Sequence, residues 1–300
     1  MKILIKYKYL IFPVNKYASE KKLTLADSLN GEYKLKIRLD NLSPDFDAYV
    51  DVSRFIGREI SVFAEPNMEV RFKESDTMDI PGIYTEDYRP QIHFTTRNGW
   101  LNDPNGLIFI DGKYHMFYQQ NPAAPQLGNM HWGHATSPDM IHWTQLPAAL
   151  FPDEMGTMFS GSGIIDEEGR AGFGAGAALF FYTAAGCNSR RSAGHPFTQC
   201  LAYSTDGGKT LTKYEGNPVI PHIAGDNRDP KVIWCEELGK YVCALYLDGN
   251  TYALLTSDNF LDWNLIQKLD IPGDAECPDF YPLNVENEPG VRKWVFSGAS

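Results

Sequence analysis

Three acidic residues, Asp103, Asp229 and Glu276, stand in short segments that are rich in turn-forming residues. The segments are Trp-Leu-Asn-Asp-Pro-Asn-Gly at 100–106, Arg-Asp-Pro at 228–230 and Glu-Cys-Pro-Asp at 276–279. Each segment adjoins a stretch that is typical of a β-strand. Because the acids are far apart in the chain, they can converge only if the chain folds back on itself several times. Convergent carboxyl groups that are held at different pKa values are what cleavage of a glycosidic bond needs.

The neighbours of two of these acids predict different protonation states. Arg228 precedes Asp229, and an adjacent positive charge keeps a carboxylate ionised. Glu276 is followed by Cys277 and Pro278, which predict a dry setting. Desolvation raises the pKa of a carboxyl group, as a general acid requires. The sequence therefore predicts that Asp229 is a carboxylate and that Glu276 is the proton donor.

The elements that must position these acids are short β-strands. From about residue 91 onward, strand-like segments alternate with turns that are rich in Gly, Pro, Asn and Asp, and no long segment has helical periodicity. The clearest predicted strands are 107–110, 114–119, 178–182, 232–234, 241–247 and 293–296. An acid at the start of the innermost strand of a propeller blade faces the axial pocket. We therefore expect an all-β fold with the acids near an axis.

A weak internal repeat supports a propeller. Thr-Ser-Pro-Asp-Met-Ile-His-Trp at 136–143 resembles Thr-Ser-Asp-Asn-Phe-Leu-Asp-Trp at 256–263, and 203–210 is a looser copy. The repeated serines are Ser137, Ser204 and Ser257. They recur about every 60 residues, a length that suits one four-stranded blade. The repeat predicts a turn closed by Ser and Asp, with a Trp wedged between blades. A two-sheet sandwich is the alternative.

The N-terminal segment 1–85 differs from the rest of the chain. It is dense in lysine and contains no tryptophan, and 33–40 alternates apolar and polar side chains strictly, as a half-buried strand does. Further strands are predicted at the N-terminus, at 48–52 and at 59–63. The sequence therefore predicts a small β-sandwich at 1–85 and a propeller domain at 86–300.

Composition excludes several classes of function. The net charge of −11 argues against binding of a nucleic acid backbone, which needs a basic face, and no segment is long and apolar enough to span a membrane. His131 and His134 lack an acidic third ligand at a recognisable spacing, so neither a metal site nor a cofactor is expected. The N-terminus makes a poor signal peptide. A cytoplasmic protein is expected, or an extracellular one if the native N-terminus is missing.

The motifs together resemble a known family. WLNDPNG, FSGS at 159–162, RDP and ECPD, in that order, are similar to those of glycoside hydrolase family 32, the family of invertases, inulinases, levanases and other β-fructosidases. The resemblance runs from about His93 to the end of the chain. The segment 1–85 resembles the small β-domain that precedes the catalytic domain in some bacterial levanase-like members.

The resemblance implies a five-bladed propeller and a retaining hydrolase that releases terminal β-D-fructofuranosyl units from sucrose or fructans. Asp103 would be the nucleophile, Glu276 the acid and base, and Asp229 the stabiliser of the transition state. The implied substrate-binding residues are Asn102, Gln119, Phe159, Ser160 and Arg228. Retention predicts that the carboxyl groups of Asp103 and Glu276 lie about 5–5.5 Å apart.

The length of the chain and the three acids leave open how complete the propeller is and which reaction the protein catalyses. At roughly 60 residues per blade, the segment after the linker supplies three to four blades, so we expect a C-terminally truncated sequence that lacks later blades and a C-terminal β-sandwich. A fructosyltransferase would use the same three acids. An inverting propeller glycosidase would hold its carboxyl groups about 6.5–9.5 Å apart. A non-catalytic fructan-binding protein is the alternative from another class.

Overall fold

The structure is a computed structural model, and it describes residues 1–27, 31–66, 68–189 and 191–299. Ser300, the last residue of the predicted propeller domain, lies outside the described residues. Within the described ranges, strands dominate, and the helical element is a single 3-10 turn at Ser53–Phe55. In the same part of the chain, no helix has the length and apolar character needed to cross a bilayer.

Two sheets form the N-terminal sandwich. The first has the strand order β1-β6-β3-β4 and the second the order β5-β2-β7. The strands are β1 Lys2–Leu4, β2 Tyr9–Val14, β3 Lys21–Asp27, β4 Gly31–Ile37, β5 Phe46–Asp51, β6 Glu59–Glu65 and β7 Lys73–Ser75. The lysine-rich N-terminus, predicted as one strand, therefore forms two. The chain crosses from one sheet to the other between Leu4 and Tyr9, where Ile5 is buried.

The core of the sandwich lies between its two sheets. In β4, Tyr33, Leu35 and Ile37 are buried, whereas Lys34 and Lys36 point away from the core. The predicted alternation is confirmed, since successive side chains of a strand face opposite sides of the sheet. The predicted strands at 33–40, 48–52 and 59–63 are confirmed, with bounds that shift by a few residues.

The rest of the described chain forms antiparallel blades. Three are complete four-stranded meanders, and a fourth sheet has two strands. The first blade contains β8 Trp100–Ile110, β9 Lys113–Asn121, β10 His131–Ser137 and β11 Thr144–Leu150. The second contains β12 Thr157–Asp166, β13 Ala177–Ala185, β14 Thr198–Ser204 and β15 Thr212–Lys213. The third contains β16 Arg228–Cys235, β17 Lys240–Asp248, β18 Thr251–Ser257 and β19 Asn264–Asp270, and the fourth sheet pairs β20 Ala275–Asn284 with β21 Arg292–Ala299. The expected all-β propeller is confirmed.

The innermost strands of these sheets lie side by side around the axis. Strand β12 contacts both β8 and β16, and β16 contacts β20. Because one inner strand comes from each blade, residues that are far apart in sequence meet at the axis. The fold thus brings together the three segments that carry the acids.

The repeated turns join the third and fourth strands of each complete blade. Their geometry matches the prediction, since the Oγ of each repeated serine contacts the side chain two residues later: Ser137 to Asp139 at 3.1 Å, Ser204 to Asp206 at 2.7 Å and Ser257 to Asn259 at 3.2 Å. Trp263 packs between blades, with its ring 5.7 Å from that of Phe181 in the second blade. Trp143 differs, because its ring packs on Phe94 in the segment before β8.

The sandwich packs on the first blade through the edge strand β4. The side-chain amide of Asn129 donates to the carbonyl of Lys36 and accepts from its N–H, each at 2.8 Å, so it covers part of the open edge. Tyr33 Oη and His131 Nε2 are 2.7 Å apart in a buried contact. Strands β7 and β8 are separated by the strand-free segment 76–99, and the division at residue 85 stays a prediction.

Candidate active site

Each of the three acids lies on a β-bulge of an inner strand. The breaks in strand register fall between Leu101 and Pro104 in β8, between Arg228 and Lys231 in β16, and between Ala275 and Asp279 in β20. The sequence predicted turns that precede the strands. Instead, the strands begin earlier and include the acids. A bulge bends the strand and re-aims a side chain, so Pro and Asn residues that favour turns are accommodated inside a strand.

The backbone is left-handed at two of these acids. Asp229 has a φ of 64° and Glu276 a φ of 63°, and Cys277 follows with a φ of 42°. Residues other than glycine adopt this region rarely and at a cost in free energy, and such residues cluster at functional sites. Here the unusual φ angles occur at the bulges that face the axis.

An open cleft of about 350 Å³ lies over the inner strands, within the size range of ligand sites. Its side-chain lining includes Asp103, Ser160, Asp229, Lys231, Cys277 and Asp279. Two of the predicted acids and one predicted binding residue therefore share one cleft. Glu276 lies next to the lining, immediately before Cys277.

Ser160 fixes the carboxylate of Asp103. Ser160 Oγ, in the second blade, donates a hydrogen bond of 2.8 Å to Asp103 Oδ2 in the first. Ser160 is buried at 8% exposure, which restricts the rotation of its hydroxyl. A hydrogen bond donated to a carboxylate sets its direction.

Asp229 is the most buried of the three acids, and burial raises the pKa of its carboxyl group to about 6. The N–H of Cys277 donates to Asp229 Oδ2 at 3.0 Å. This bond and the charge of Arg228 lower the pKa, whereas Asp103 and Glu276 raise it. Arg228 acts in the expected direction, because its charge lowers the pKa, but burial outweighs this effect and the pKa stays above its ordinary value. The mutual influence of the three acids shows that they are close neighbours.

Arg228 pairs with Glu276 instead. Its Nη2 lies 2.6 Å from Glu276 Oε1, its Nη1 donates to the carbonyl of Asp226 at 2.7 Å, and its guanidinium lies over the ring of Tyr246. The side chain of Glu276 is 53% exposed. The expected dry setting for Glu276 is therefore wrong, because its apolar neighbours in sequence do not cover it. The carboxyl group is held by an ion pair at the mouth of the cleft.

Three further predicted binding residues, Asn102, Gln119 and Phe159, lie outside the lining of this cleft. Asn102 accepts a hydrogen bond of 2.8 Å from Trp100 Nε1. Gln119 is buried in β9, where its Nε2 donates to the carbonyl of Met158 at 2.8 Å. The ring of Phe159 packs edge-on against Phe197. The structure thus gives these three residues protein partners close to the axial strands.

Two supporting residues were missed by the sequence analysis. Thr183 in β13 accepts from the N–H of Asp229 at 3.0 Å and donates to Gln199 Oε1 at 2.7 Å. Ser162 donates to the carbonyl of Pro230 at 2.8 Å and accepts from the N–H of Val232 at 2.9 Å, which joins two inner strands. The place of Ser162 in the FSGS motif was an available signal. Thr183 carried no such signal, because it lies inside an apolar strand.

Two histidines, His115 and His134, lie on neighbouring strands of the first blade, β9 and β10. His134 and His115 share a contact of 3.1 Å, and burial lowers the pKa of His134 to about 3. Among residues 1–27, 31–66, 68–189 and 191–299, no group of three or more His, Cys, Asp or Glu side chains is arranged to hold a metal ion. The arrangement offers acid–base and nucleophilic chemistry through carboxyl groups.

Comparisons with known proteins agree with this geometry. The family model "Glycosyl hydrolases family 32 N-terminal domain" matches residues 93–299. The levanase of Bacillus subtilis (strain 168) is 44% identical over 221 residues, which are 71% of this chain and 32% of the levanase. The invertase of Schizosaccharomyces pombe (strain 972 / ATCC 24843) is 35% identical over 71% of this chain and 38% of the invertase.

Two solved structures show the same fold. The exo-inulinase of Aspergillus awamori has a TM-score of 0.62 and 33% identity over 71% of this chain and 46% of that chain. The β-fructofuranosidase of Schwanniomyces occidentalis, complexed with fructosyl-erythritol, has a TM-score of 0.64 and 32% identity over 73% of this chain and 44% of that chain. This chain therefore spans less than half the length of these relatives. The matched residues include all three bulges and the whole axial cleft, and the chain belongs to glycosyl hydrolase family 32.

Proposed function

We propose that this protein is a retaining glycoside hydrolase that releases terminal β-D-fructofuranosyl units from sucrose or fructans. The observation that carries the proposal is the placement of Asp103, Asp229 and Glu276 on the bulges of three inner strands around one cleft. The names of the relatives, which include a levanase, an invertase and an exo-inulinase, support the substrate class. The reaction needs two carboxyl groups on the scissile bond, and the resemblance to the family implies a third beside the sugar ring.

In the first step, a carboxylate oxygen of Asp103 attacks the anomeric carbon of the terminal fructose. The bond from that carbon to the bridging oxygen breaks, and Glu276 transfers its proton to the leaving oxygen. The hydrogen bond from Ser160 to Asp103 Oδ2 supports this role because it fixes the direction of attack. The products are a covalent fructosyl-enzyme and the released sugar.

In the second step, water attacks the same carbon on the side that the leaving group vacated. Glu276, now a carboxylate, takes the proton of the water, and the bond to Asp103 breaks. Two inversions give net retention. Arg228 holds the carboxyl group of Glu276 at the mouth of the cleft, where the leaving sugar departs and water enters.

Asp229 stabilises the oxocarbenium-like transition state and binds ring hydroxyls. Its carboxyl group is fixed by the N–H of Cys277, and its backbone by Thr183. A preorganised group in a desolvated site stabilises developing charge more strongly than water does. Burial of Asp229 therefore supports an electrostatic role.

The test is fructose release from sucrose, inulin and levan by the wild type and by Asp103→Asn and Glu276→Gln. We expect each variant to lose activity by about 10²-fold or more, with an unchanged melting temperature. Asp111→Asn is the matched control, since Asp111 lies in the turn at the other end of β8. Near-normal turnover by either acid variant would refute the mechanism. Fructosyl transfer to added sugar at the expense of hydrolysis would make the protein a fructosyltransferase.

A further inference from the structure

A second cleft lies where the N-terminal sandwich meets the propeller. It has a volume of about 90 Å³. One wall is the outer face of β3, β4 and β6, and the other is formed by segments of the first two blades. The lining includes Thr24, Lys34 and Phe63 from the sandwich, and Asn129, Thr157 and Ser189 from the propeller.

The sandwich wall presents an ordered set of side chains. In strand register, Thr24 stands between Lys34 on one side and Phe63 on the other. The neighbours Leu23 and Leu25 face the core, so Thr24 points to the outer face, where it is nevertheless 2% exposed. Phe63 remains 39% exposed. An aromatic face beside fixed polar groups is suited to the mixed apolar and hydroxyl surface of a sugar.

Thr157 supplies an independent sign of a ligand. It is 4% exposed, and its buried hydroxyl oxygen, Oγ1, has no hydrogen-bond partner among the residues that the structure describes. Leaving a buried hydroxyl unpaired costs free energy, and such groups are rare in folded proteins. Asn129 and Ser189 line the same cleft. A hydroxyl-bearing ligand in the cleft satisfies Thr157.

The charges of the cleft favour a neutral ligand. Lys34 is ion-paired with Glu32, and Lys22 stands opposite Glu65 in the paired strands. Lys36 also lines the cleft. Both signs are therefore interspersed, whereas an anion site presents one sign of charge. A neutral polyhydroxylated chain fits this wall.

Strand β12 connects this cleft to the axial cleft. Thr157 begins the strand, and Ser160, which binds Asp103, is three residues later. At about 3.3 Å per residue, the two side chains are separated by about 10 Å along the strand. The two clefts therefore lie close together, near the start of the same strand.

We propose that the cleft between the sandwich and the propeller binds units of a β-fructan chain that lie beyond the terminal fructose. The proposal rests on the proposed function and assigns a role to the N-terminal sandwich, which is to favour polymers over sucrose. We expect sucrose, which has only two sugar units, to end near the axial cleft and to make no contact with Phe63 or Thr157.

The experiment compares Phe63→Ala and Thr157→Val with the wild type in two assays. The first is retardation in native gels that contain levan or inulin, which measures binding without turnover. The second is the KM for fructose release from levan, inulin and sucrose. Tyr17→Ala is the matched control, because Tyr17 is an aromatic residue of the same domain that is 82% exposed and outside the lining. Thr157→Val removes an unpaired hydroxyl, so the unliganded protein keeps its melting temperature.

We expect Phe63→Ala to weaken polymer binding and to raise the KM for polymer by about tenfold. Thr157→Val should have the same two effects, by about fivefold. Both leave the kinetics on sucrose unchanged, and Tyr17→Ala resembles the wild type throughout. Polymer binding that is equal in all four proteins would overturn the proposal, as would an equal loss on sucrose. If the wild type binds polymer through Phe63 but hydrolyses nothing, the binding role of the cleft is supported and the proposed hydrolase activity is refuted. If the wild type hydrolyses sucrose but does not bind polymer, the hydrolase activity is supported and the binding role of the cleft is refuted.

Discussion

Arg228 forms its ion pair with Glu276, 48 residues away in the chain, at a distance of 2.6 Å between Nη2 and Oε1. Asp229, its neighbour in sequence, is instead fixed by the N–H of Cys277. One arginine of the third blade therefore holds an acid of the next sheet. This contact links the orientation of the proposed proton donor to the packing of two blades.

Loss of this ion pair should lower turnover. In Arg228→Gln, Glu276 is no longer held at the mouth of the cleft, and a displacement of about 1 Å lowers kcat by about 10²-fold. Arg228→Lys should restore little of the lost kcat. One ammonium group cannot at the same time pair with Glu276, reach the carbonyl of Asp226 and stack on Tyr246. The measurement is kcat for fructose release. Arg170→Gln, which breaks a surface pair with Glu168, is the control, and equal kcat values in the two glutamine variants would contradict this role.

The buried carboxyl group of Asp229 should make stability depend on pH. Its pKa rises from an ordinary 3.8 to about 6 in the folded protein, so the folded state binds the extra proton and stability falls as pH rises from about 4 to 6. Above pH 6 the cost of the buried charge is constant at about 3 kcal/mol. Asp229→Asn removes this cost. The other titrating groups are the same in both proteins, so their contributions cancel when the two unfolding free energies are compared. We expect the variant to exceed the wild type in unfolding free energy at pH 8 and to match it at pH 4, as measured by urea unfolding. A gain of the same size at both pH values would refute the assignment.

Thr183 should act as a positioning residue for Asp229. Thr183→Val removes the acceptor of the Asp229 N–H and the donor to Gln199, so the left-handed residue loses its anchor. We expect kcat/KM to fall by about tenfold or more, and Thr183→Ser, which keeps the hydroxyl, to restore it. Thr198→Val is the matched control, because the Thr198 hydroxyl makes a long contact of 3.9 Å with Cys200 Sγ. Failure of the serine variant to restore kcat/KM would mean that the effect is one of packing alone.

The contact between Tyr33 and His131 should stabilise the sandwich against the propeller. Burial lowers the pKa of His131 to about 3, so the ring is neutral when Tyr33 bonds to it at 2.7 Å. Tyr33→Phe leaves a buried ring nitrogen without that partner and should lower the free energy of unfolding by about 1–3 kcal/mol. Denaturant unfolding checks this value. Tyr17→Phe, at an exposed tyrosine, should change nothing, and an equal effect of the two substitutions would count against the contact.

Local patterns predicted the regular parts of the fold. Alternation in β4 predicted which side chains enter the sandwich core, because a strand has a period of two residues. The repeated serines predicted the turns of three blades, because a Ser or Asp side chain closes a turn with atoms only a few residues away. Both signals are local in the chain. The bounds of the inner strands were less accurate, since turn-forming residues inside a bulge resemble a turn in sequence.

The sequence by itself determined which residues could do chemistry: three acids in specific motifs, an all-β chain with blade-length repeats, and a leading segment of different composition. Only the tertiary structure decided which groups face each other. Arg228 pairs with Glu276 and Asp229 accepts from the N–H of Cys277, because the bulge in β16 aims both side chains at the next sheet. Desolvation depends on what the other blades cover, and it raises the pKa of Asp229 while Glu276 stays exposed. The second cleft exists because the sandwich sheet that contains β4 packs on the first two blades. These elements are remote in sequence, so no local sequence pattern predicts their contact.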